Sequence, residues 1–303
     1  MVRIYFKHLA RNGIVQTANR FGIHYKTLEK CLSNMVRDEV EWSVFKHQET
    51  IRLGIDEHSF RGHDMVITVV EMVSSTPLLI LKKDTKRELK RFLGSIPWWI
   101  KRRIDEVAID MRRRNKKALE EELRRVNIVA DRYHVERFAN DKFDWARKIQ
   151  QEIASQDAGK RVRIPKRLFL KKKLTSQQKK RIEHYLKKYS YLKPWYDFKE
   201  KTIEIYDKKN KEEAAEHLDK LIRELRETND IQFTKWAKTL NYWREEILNY
   251  YDNGTTMAMV EGYHNPIKLL KRISFGFKDV DLYVKKIMLG LVPHHVLCFK
   301  PNI

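Results

Sequence analysis

The stretch Leu53-Gly54-Ile55-Asp56-Glu57-His58-Ser59 does most to limit what this chain can become. Ile51, Leu53 and Ile55 alternate as the inward face of a β-strand, and Asp56 follows them directly. A turn around Arg61-Gly62 leads into a second apolar run over residues 65–73, the return strand of a hairpin. A carboxylate at the end of a buried strand is costly unless a metal ion or a cation neutralises it. Taken alone, Asp56 reads as a strand-end or turn residue. However, the same signal returns at Glu106-Val107-Ala108-Ile109-Asp110. A late helix also carries Glu261 in its first turns, where the helix dipole favours an anion.

The order of elements between these acids predicts a fold. A third strand at residues 77–81 completes an antiparallel meander. A helix follows at 85–93, then the strand that ends at Asp110, then a helix over 115–125. Residues 127–130 form a fifth strand, again ending in acid at Asp131, and a long amphipathic helix runs from 132 to about 158. Val135, Phe138, Phe143, Trp145 and Ile149 are its expected core residues. Three antiparallel strands, helix, strand, helix, strand, helix is the order of a ribonuclease-H-like α/β fold, a five-stranded mixed sheet with helices. In such a sheet strands 1 and 4 are neighbours, so Asp56 and Asp110 meet at one edge. Two carboxylates that close repel by several kcal/mol unless a divalent cation sits between them. Oxygen donors of this kind favour Mg²⁺ or Mn²⁺ over zinc.

Charge narrows the class of partner. The 303 residues carry a formal charge of +22, more than solubility needs, which points to a polyanion and to nucleic acid before membrane. Cys31 and Cys298 can form neither a disulfide framework nor a four-ligand zinc site by themselves, so no zinc is expected. No apolar run approaches a membrane span and no signal-peptide core opens the chain, so the expected location is the cytoplasm, with the nucleoid.

Residues 1–40 are expected to hold a helix-turn-helix, trimmed at its N-terminal side. Ala18 permits close helix contact, Gly22 makes the turn, and Leu28 and Cys31 face inward. His24, Tyr25, Lys26, Thr27 and Lys30 face outward, able to reach bases or phosphates; an ordinary helical hairpin gives the same pattern. Arg37 to Gln48 reads as a polar connector, and residues 50–158 as the first part of the catalytic core. Residues 159–250 read as a mainly helical, basic insertion, with helices at 176–188, 193–206, 211–227 and 231–250. Within it, eight of the fourteen residues 160–173 are Lys or Arg and none is acidic, with Lys171, Lys172 and Lys173 at the end of the run. Residues 251–295 supply the last core helices. Thr255 or Thr256 is the expected N-cap of the helix that carries Glu261. Val260, Ile267 and Leu270 anchor it, and Lys268, Lys271 and Arg272 are phosphate-binding candidates. Pro266 predicts a kink or a fresh start.

At this point a family resemblance emerges. Gly54-Ile55-Asp56-Glu57-His58-Ser59-Phe60-Arg61-Gly62-His63, Ile109-Asp110-Met111 and Ala130-Asp131-Arg132-Tyr133-His134-Val135 occur in that order. Trp243-Arg244-Glu245-Glu246-Ile247-Leu248-Asn249-Tyr250, Val260-Glu261-Gly262-Tyr263-His264-Asn265, Ile267-Lys268 and Gly276-Phe277 follow. Across residues 50–290 the chain resembles the DDE transposases of the ISL-three family of bacterial insertion sequences. The resemblance implies Asp56, Asp110 and Glu261 as a catalytic triad holding two Mg²⁺ (or Mn²⁺) ions. It implies DNA cleavage at element ends and strand joining to target, without a covalent protein intermediate. The implied partner is double-stranded DNA, both terminal inverted repeats and target, bound by a homodimer or higher assembly. Asp131 and His134 match a family motif as a supporting acid and a DNA contact, or equally as caps of a strand-to-helix turn. Two alternatives stand beside this: a decayed transposase that only binds DNA, and a ribonuclease-H-like nuclease.

If residues 160–173 follow phosphates, neutralising Lys171, Lys172 and Lys173 is expected to weaken binding to all DNA sequences alike. The slope of log affinity against log salt is expected to flatten by about 0.9 for each phosphate that no longer meets a lysine. An unchanged slope in a salt titration would return the run to a solvated face.

Overall fold

A computed structural model describes residues 2–299. The chain gathers into two compact units, one from Met1–Val129 with Thr255–Ile303, the other from Ala130–Gly254.

The first unit opens with α1 (Val2–Arg11), α2 (Ile14–Phe21) and α3 (Tyr25–Met35). Gly22 ends α2 at φ +63°, the left-handed conformation that glycine adopts without strain, and Ile23 N–H closes the turn on the Ala18 carbonyl at 3.0 Å. Ala18 and Leu28 are buried as the spacing requires. Cys31 is only half-buried, because Leu32, four residues after Leu28, takes the inward position instead. Residues 36–48 are not the expected polar connector. They form β1 (Val36–Val40), which pairs antiparallel with a strand at Leu297–Phe299, and a 3₁₀ turn that buries Trp42 and Phe45. Only the two ends of Val-Arg-Asp-Glu-Val are buried, so no local alternation marks it as a strand.

The central sheet comprises β2 (Ile51–Arg61), β3 (Asp64–Glu71) and β4 (Thr76–Leu81). After α4 (Lys86–Ser95) and α5 (Trp98–Lys101) come β5 (Ile104–Ile109), α6 (Arg113–Glu122) and β6 (Asn127–Ala130). Strand order is β4-β3-β2-β5-β6, with β2, β3 and β4 antiparallel and β2 parallel to β5, the arrangement of a ribonuclease-H-like sheet. Leu53, Ile55, Val69, Val107 and Ile109 are fully buried, as in a strand set covered on both faces.

The second unit is entirely helical among its described residues: α7 (Arg132–Asp157), α8 (Lys166–Phe169), α9 (Ser176–Lys188), α10 (Leu192–Ile203), α11 (Lys211–Glu227), α12 (Ile231–Tyr242), α13 (Arg244–Leu248) and α14 (Tyr250–Asn253). Its core is aromatic: Phe143, Phe169, Trp195, Trp236 and Trp243 are buried, and the Trp195 and Phe233 rings lie 4.4 Å apart. Trp145, expected in this core, is 42% exposed, since α7 turns Ala139, Phe143 and Ala146 inward. The helix expected over 231–250 breaks at Trp243, and Arg244 beyond the break pairs with Asp219 at 2.7 and 2.8 Å. In the basic run, Ile164, Leu168 and Phe169 are core, while Lys171, Lys172 and Lys173 are exposed. Lys172 also pairs at 2.5 Å with the buried Glu136.

The chain returns to the first unit as α15 (Ala258–Ile273), α16 (Val280–Leu291) and β7 (Leu297–Phe299). The N-cap of α15 is Met257 rather than either threonine. Pro266 neither ends nor restarts the helix: both it and Gly262, whose carbonyl loses its donor, are exposed, so water can satisfy that carbonyl. α16 packs against α1 and α3, and the approach is close. A Cβ at Gly290 would lie 2.7 Å from the Ala10 carbonyl, and one at Gly13 would lie 2.7 Å from the Ile273 carbonyl. Among the described residues, no helix is long and apolar enough to cross a membrane.

Lys286 of α16 is fully buried, with Nζ donating to the Ala10 carbonyl at 3.4 Å. Burial pushes its pKa down from 10.5 to about 8. Between these two values the unfolded chain binds more protons than the folded one, so this group's penalty is full below pH 8 and fades as pH rises toward 10.5. Lys286→Met is therefore expected to stabilise the fold at pH 7 by up to about 3 kcal/mol. Urea denaturation at pH 7 and pH 10 checks this: the gain must shrink at the higher pH.

Candidate active site

The register of β2 and β5 sets the geometry. Ile55 sits opposite Ile109 in the parallel pair, so the next residues, Asp56 and Asp110, lie side by side at the carboxyl end of β5. Both are buried, at 5% and 6% exposure, where an unneutralised acid pair is least tolerable. Successive residues of a strand face opposite sides, so Gly54, Asp56 and His58 face one layer and Glu57 the other.

α15 covers the first of these faces. A Cβ at Gly54 would lie 2.5 Å from Val260 Cγ2 and 2.9 Å from Met72 Sδ, so only a glycine lets the helix settle this close. Glu261 follows Val260 directly, half-buried in the first turn of α15. His264, three residues on, holds Nδ1 3.7 Å from Asp56 Oδ2. His58 lies beneath, sharing 2.9 Å hydrogen bonds with Thr68 Oγ1 and Tyr283 Oη. Burial, and then the neighbouring His264, push the His58 pKa down to about 3, so it stays neutral. Tyr263 ties the same helix to the β3–β4 turn by donating to the Ser75 carbonyl at 2.6 Å.

The other face carries residues to which the sequence reading assigned no role. Arg112 Nε donates to Asp110 Oδ2 at 2.7 Å and pairs with Glu57 Oε2 at 3.2 Å, while its Nη1 reaches Asp84 Oδ2 at 2.9 Å. Arg114 also pairs with Asp84. Asn115 donates to Glu57 Oε1 at 2.7 Å. Burial, and then the charge of Asp110, hold the Glu57 carboxyl far above the usual carboxylate range, against the opposing pull of Asn115 and Arg112. One guanidinium thus links the acids gathered around the carboxyl end of β5, and Asp110 is turned toward it. The available signal was that Arg112 and Asn115 follow Asp110 by two and five residues, at the start of α6.

The remaining sequence candidates are distributed as follows. His24, Tyr25, Lys26 and Thr27 are exposed at the start of α3, and Lys268 and Arg272 are exposed on α15. Lys271 instead donates to the Phe60 carbonyl, which commits it to packing the β2 end against α15. Asp131 caps α7, its Oδ2 accepting from Tyr133 N–H at 3.1 Å, and the His134 ring sits edge-on to Tyr133 at 5.4 Å.

A protein-family model for transposases of the DDE type, ISL3 group, matches residues 53–287, most of the chain and the whole span from β2 into α16. The chain belongs to this family. It is also similar to the transposase for insertion sequence element IS1001 of Bordetella parapertussis, 24% identical over 289 residues that cover 92% of this chain and 70% of the relative. In this ISL3-family chain the family match begins at Leu53, one residue before the glycine that admits α15.

Gly54→Ala is expected to push Val260 and α15 off the sheet, costing about 1–3 kcal/mol as an overpacked core. Val260→Ala in the same chain is expected to restore most of that loss. Thermal melts of both single variants and the double variant test it; simple additivity would mean that Gly54 and Val260 do not press on each other.

Proposed function

We propose that this chain cleaves DNA strands at the ends of an insertion element and joins them to target DNA, using divalent cations held by Asp56, Asp110 and Glu261. The observation that supports the reading is the β2–β5 register, which gives two buried aspartates neighbouring positions, with α15, the helix that bears Glu261, packed on the Asp56 side. The donor set fits the ion: these are hard oxygen ligands, and Asp110 already draws a cationic side chain, that of Arg112. Bound Mg²⁺ or Mn²⁺ supplies activation of the attacking water or DNA 3′-hydroxyl and stabilises the departing oxygen.

The protein's own groups orient and balance this charge. The backbone N–H of Glu57 donates to Asp56 Oδ1 at 2.8 Å and limits its rotation. Arg112 keeps Asp110 from repelling its acidic neighbours when no cation is bound. His58, held neutral, adds no charge of its own beside Asp56. The basic side chains are the natural contacts for DNA phosphates: Lys171 and Lys173 in the helical unit, where Lys172 is already paired with Glu136, and Lys268 and Arg272 on α15. His24, Tyr25, Lys26 and Thr27 on α3 are candidates to read base edges, with Asp131 and His134 in supporting roles. Assembly as a homodimer or higher on DNA completes the reading, since two element ends must be handled together.

Asp56→Asn and Asp110→Asn are expected to leave folding intact to within about 1 kcal/mol, because each removes one of two adjacent buried charges. Nicking and strand transfer on linear DNA that carries the repeats flanking the gene should fall by more than about a hundredfold, beyond the loss typical of groups that only support a metal ligand. Undiminished Mg²⁺-dependent nicking by either variant would refute the assignment. DNA binding without any nicking by the unaltered chain would leave a DNA-binding protein only.

A further inference from the structure

We propose that Phe275, on the turn that ends α15, is a stacking wedge for a DNA base lifted out of the duplex near the cleavage site. The inference rests on the DNA-cleavage reading above and adds a residue and a substrate feature to it.

Phe275 is 89% exposed, more than any other large apolar residue described. Its backbone also sits at φ +55°, a left-handed conformation that favours glycine and is unusual for a bulky side chain. The turn is nevertheless firmly built. Ser274 N–H closes on the Leu270 carbonyl at 3.2 Å, Phe275 N–H on Arg272 at 3.0 Å and Gly276 N–H on Lys271 at 3.2 Å. Phe277, two residues on, packs its ring 5.5 Å from Tyr283 of α16. One aromatic thus anchors the turn, and the other is held out to water at a cost in both hydration and backbone strain.

The surroundings identify what would cover it. Lys268, Arg272 and Lys278 are exposed around the turn, and no acidic residue occurs between Glu261 and Asp279. A second copy of so basic a face would meet it with like charge, whereas a nucleic acid strand brings phosphates for the lysines and arginine and a π-face for the ring. Along α15, Phe275 lies about 20 Å from Glu261 at 1.5 Å per residue, roughly six base steps. Inserted apolar side chains unstack a base step, and the exposed base regains its stacking on the aromatic ring.

The test needs no knowledge of the element-end sequence. The 303-residue chain is titrated with a fully paired 30-mer duplex and with the same duplex carrying a short unpaired stretch. The unaltered chain is expected to prefer the unpaired DNA by roughly tenfold, and Phe275→Ala to lose that preference, the size expected for one stacked base. Affinity for the paired duplex and its salt slope should stay unchanged, and Phe275→Trp should keep the preference. A preference that survives Phe275→Ala, or is absent from the unaltered chain, overturns the proposal. A change in self-association in place of the DNA effect, seen by sedimentation, also overturns it in favour of a protein contact. Mg²⁺-dependent nicking by the same preparation reports separately on the parent reading: a Phe275-dependent preference without any nicking would remove the cleavage assignment and leave the stacking site standing.

Discussion

Concentrated negative charge at the end of a buried sheet is the constraint on which the rest of this structure depends. Asp56 and Asp110 are set side by side by a backbone register, and Glu57 and Asp84 lie close enough to share one guanidinium, that of Arg112. Buried acids of this density would unfold the sheet edge or take up protons. Here Glu57 is pushed toward its protonated state, and Arg112 bridges Asp84 and Asp110. An acidic cluster that already gathers a guanidinium is suited to a divalent cation, which answers the same charge more strongly.

The second constraint is distance between layers. Gly54 lets α15 lie directly on β2, which carries Glu261 and His264 to the Asp56 side of the sheet. The closeness continues at the far end of the unit, where Gly13 and Gly290 admit neighbouring backbones and Lys285 donates to the Ser33 carbonyl at 2.6 Å. The N-terminal helices are therefore part of the same packed body as the candidate site. The proposed DNA contact of α3 has α16 packed directly behind it. A substitution on the exposed face of α3 examines recognition more cleanly than removal of the whole segment, which would uncover the apolar side of α16 and take away the partner of β7.

Basic residues serve two purposes that composition alone cannot separate. Lys285, Lys286 and Lys271 are committed to backbone carbonyls, and Lys172 and Lys166 to buried acids. Lys171, Lys173, Lys268 and Arg272 are exposed and remain as candidates for phosphate. The effective cationic surface is thus smaller than the formal charge of +22 suggests.

Local pattern determined a good deal by itself. Short apolar runs marked the five strands of the sheet, and helical periodicity marked most of the helices, because these signals act within a few residues. The acids stood out because a charge beside a buried run is chemically anomalous wherever it is read, although Asp56 lies within its strand and not at the end, since β2 runs on to Arg61 against β3. What depended on residues far apart in the chain was settled only by the tertiary structure. β1 became a strand because β7, at the opposite end of the chain, pairs with it. Pro266 stayed within a helix because its side of α15 faces water, and Trp145 left the core because Ala139, Phe143 and Ala146 claimed the inward face of α7. Arg112 gained its place only when folding brought Glu57, Asp84 and Asp110 around it. Periodicity reports which face of an element is apolar; which partner covers that face, and which charge answers a buried acid, is decided by packing.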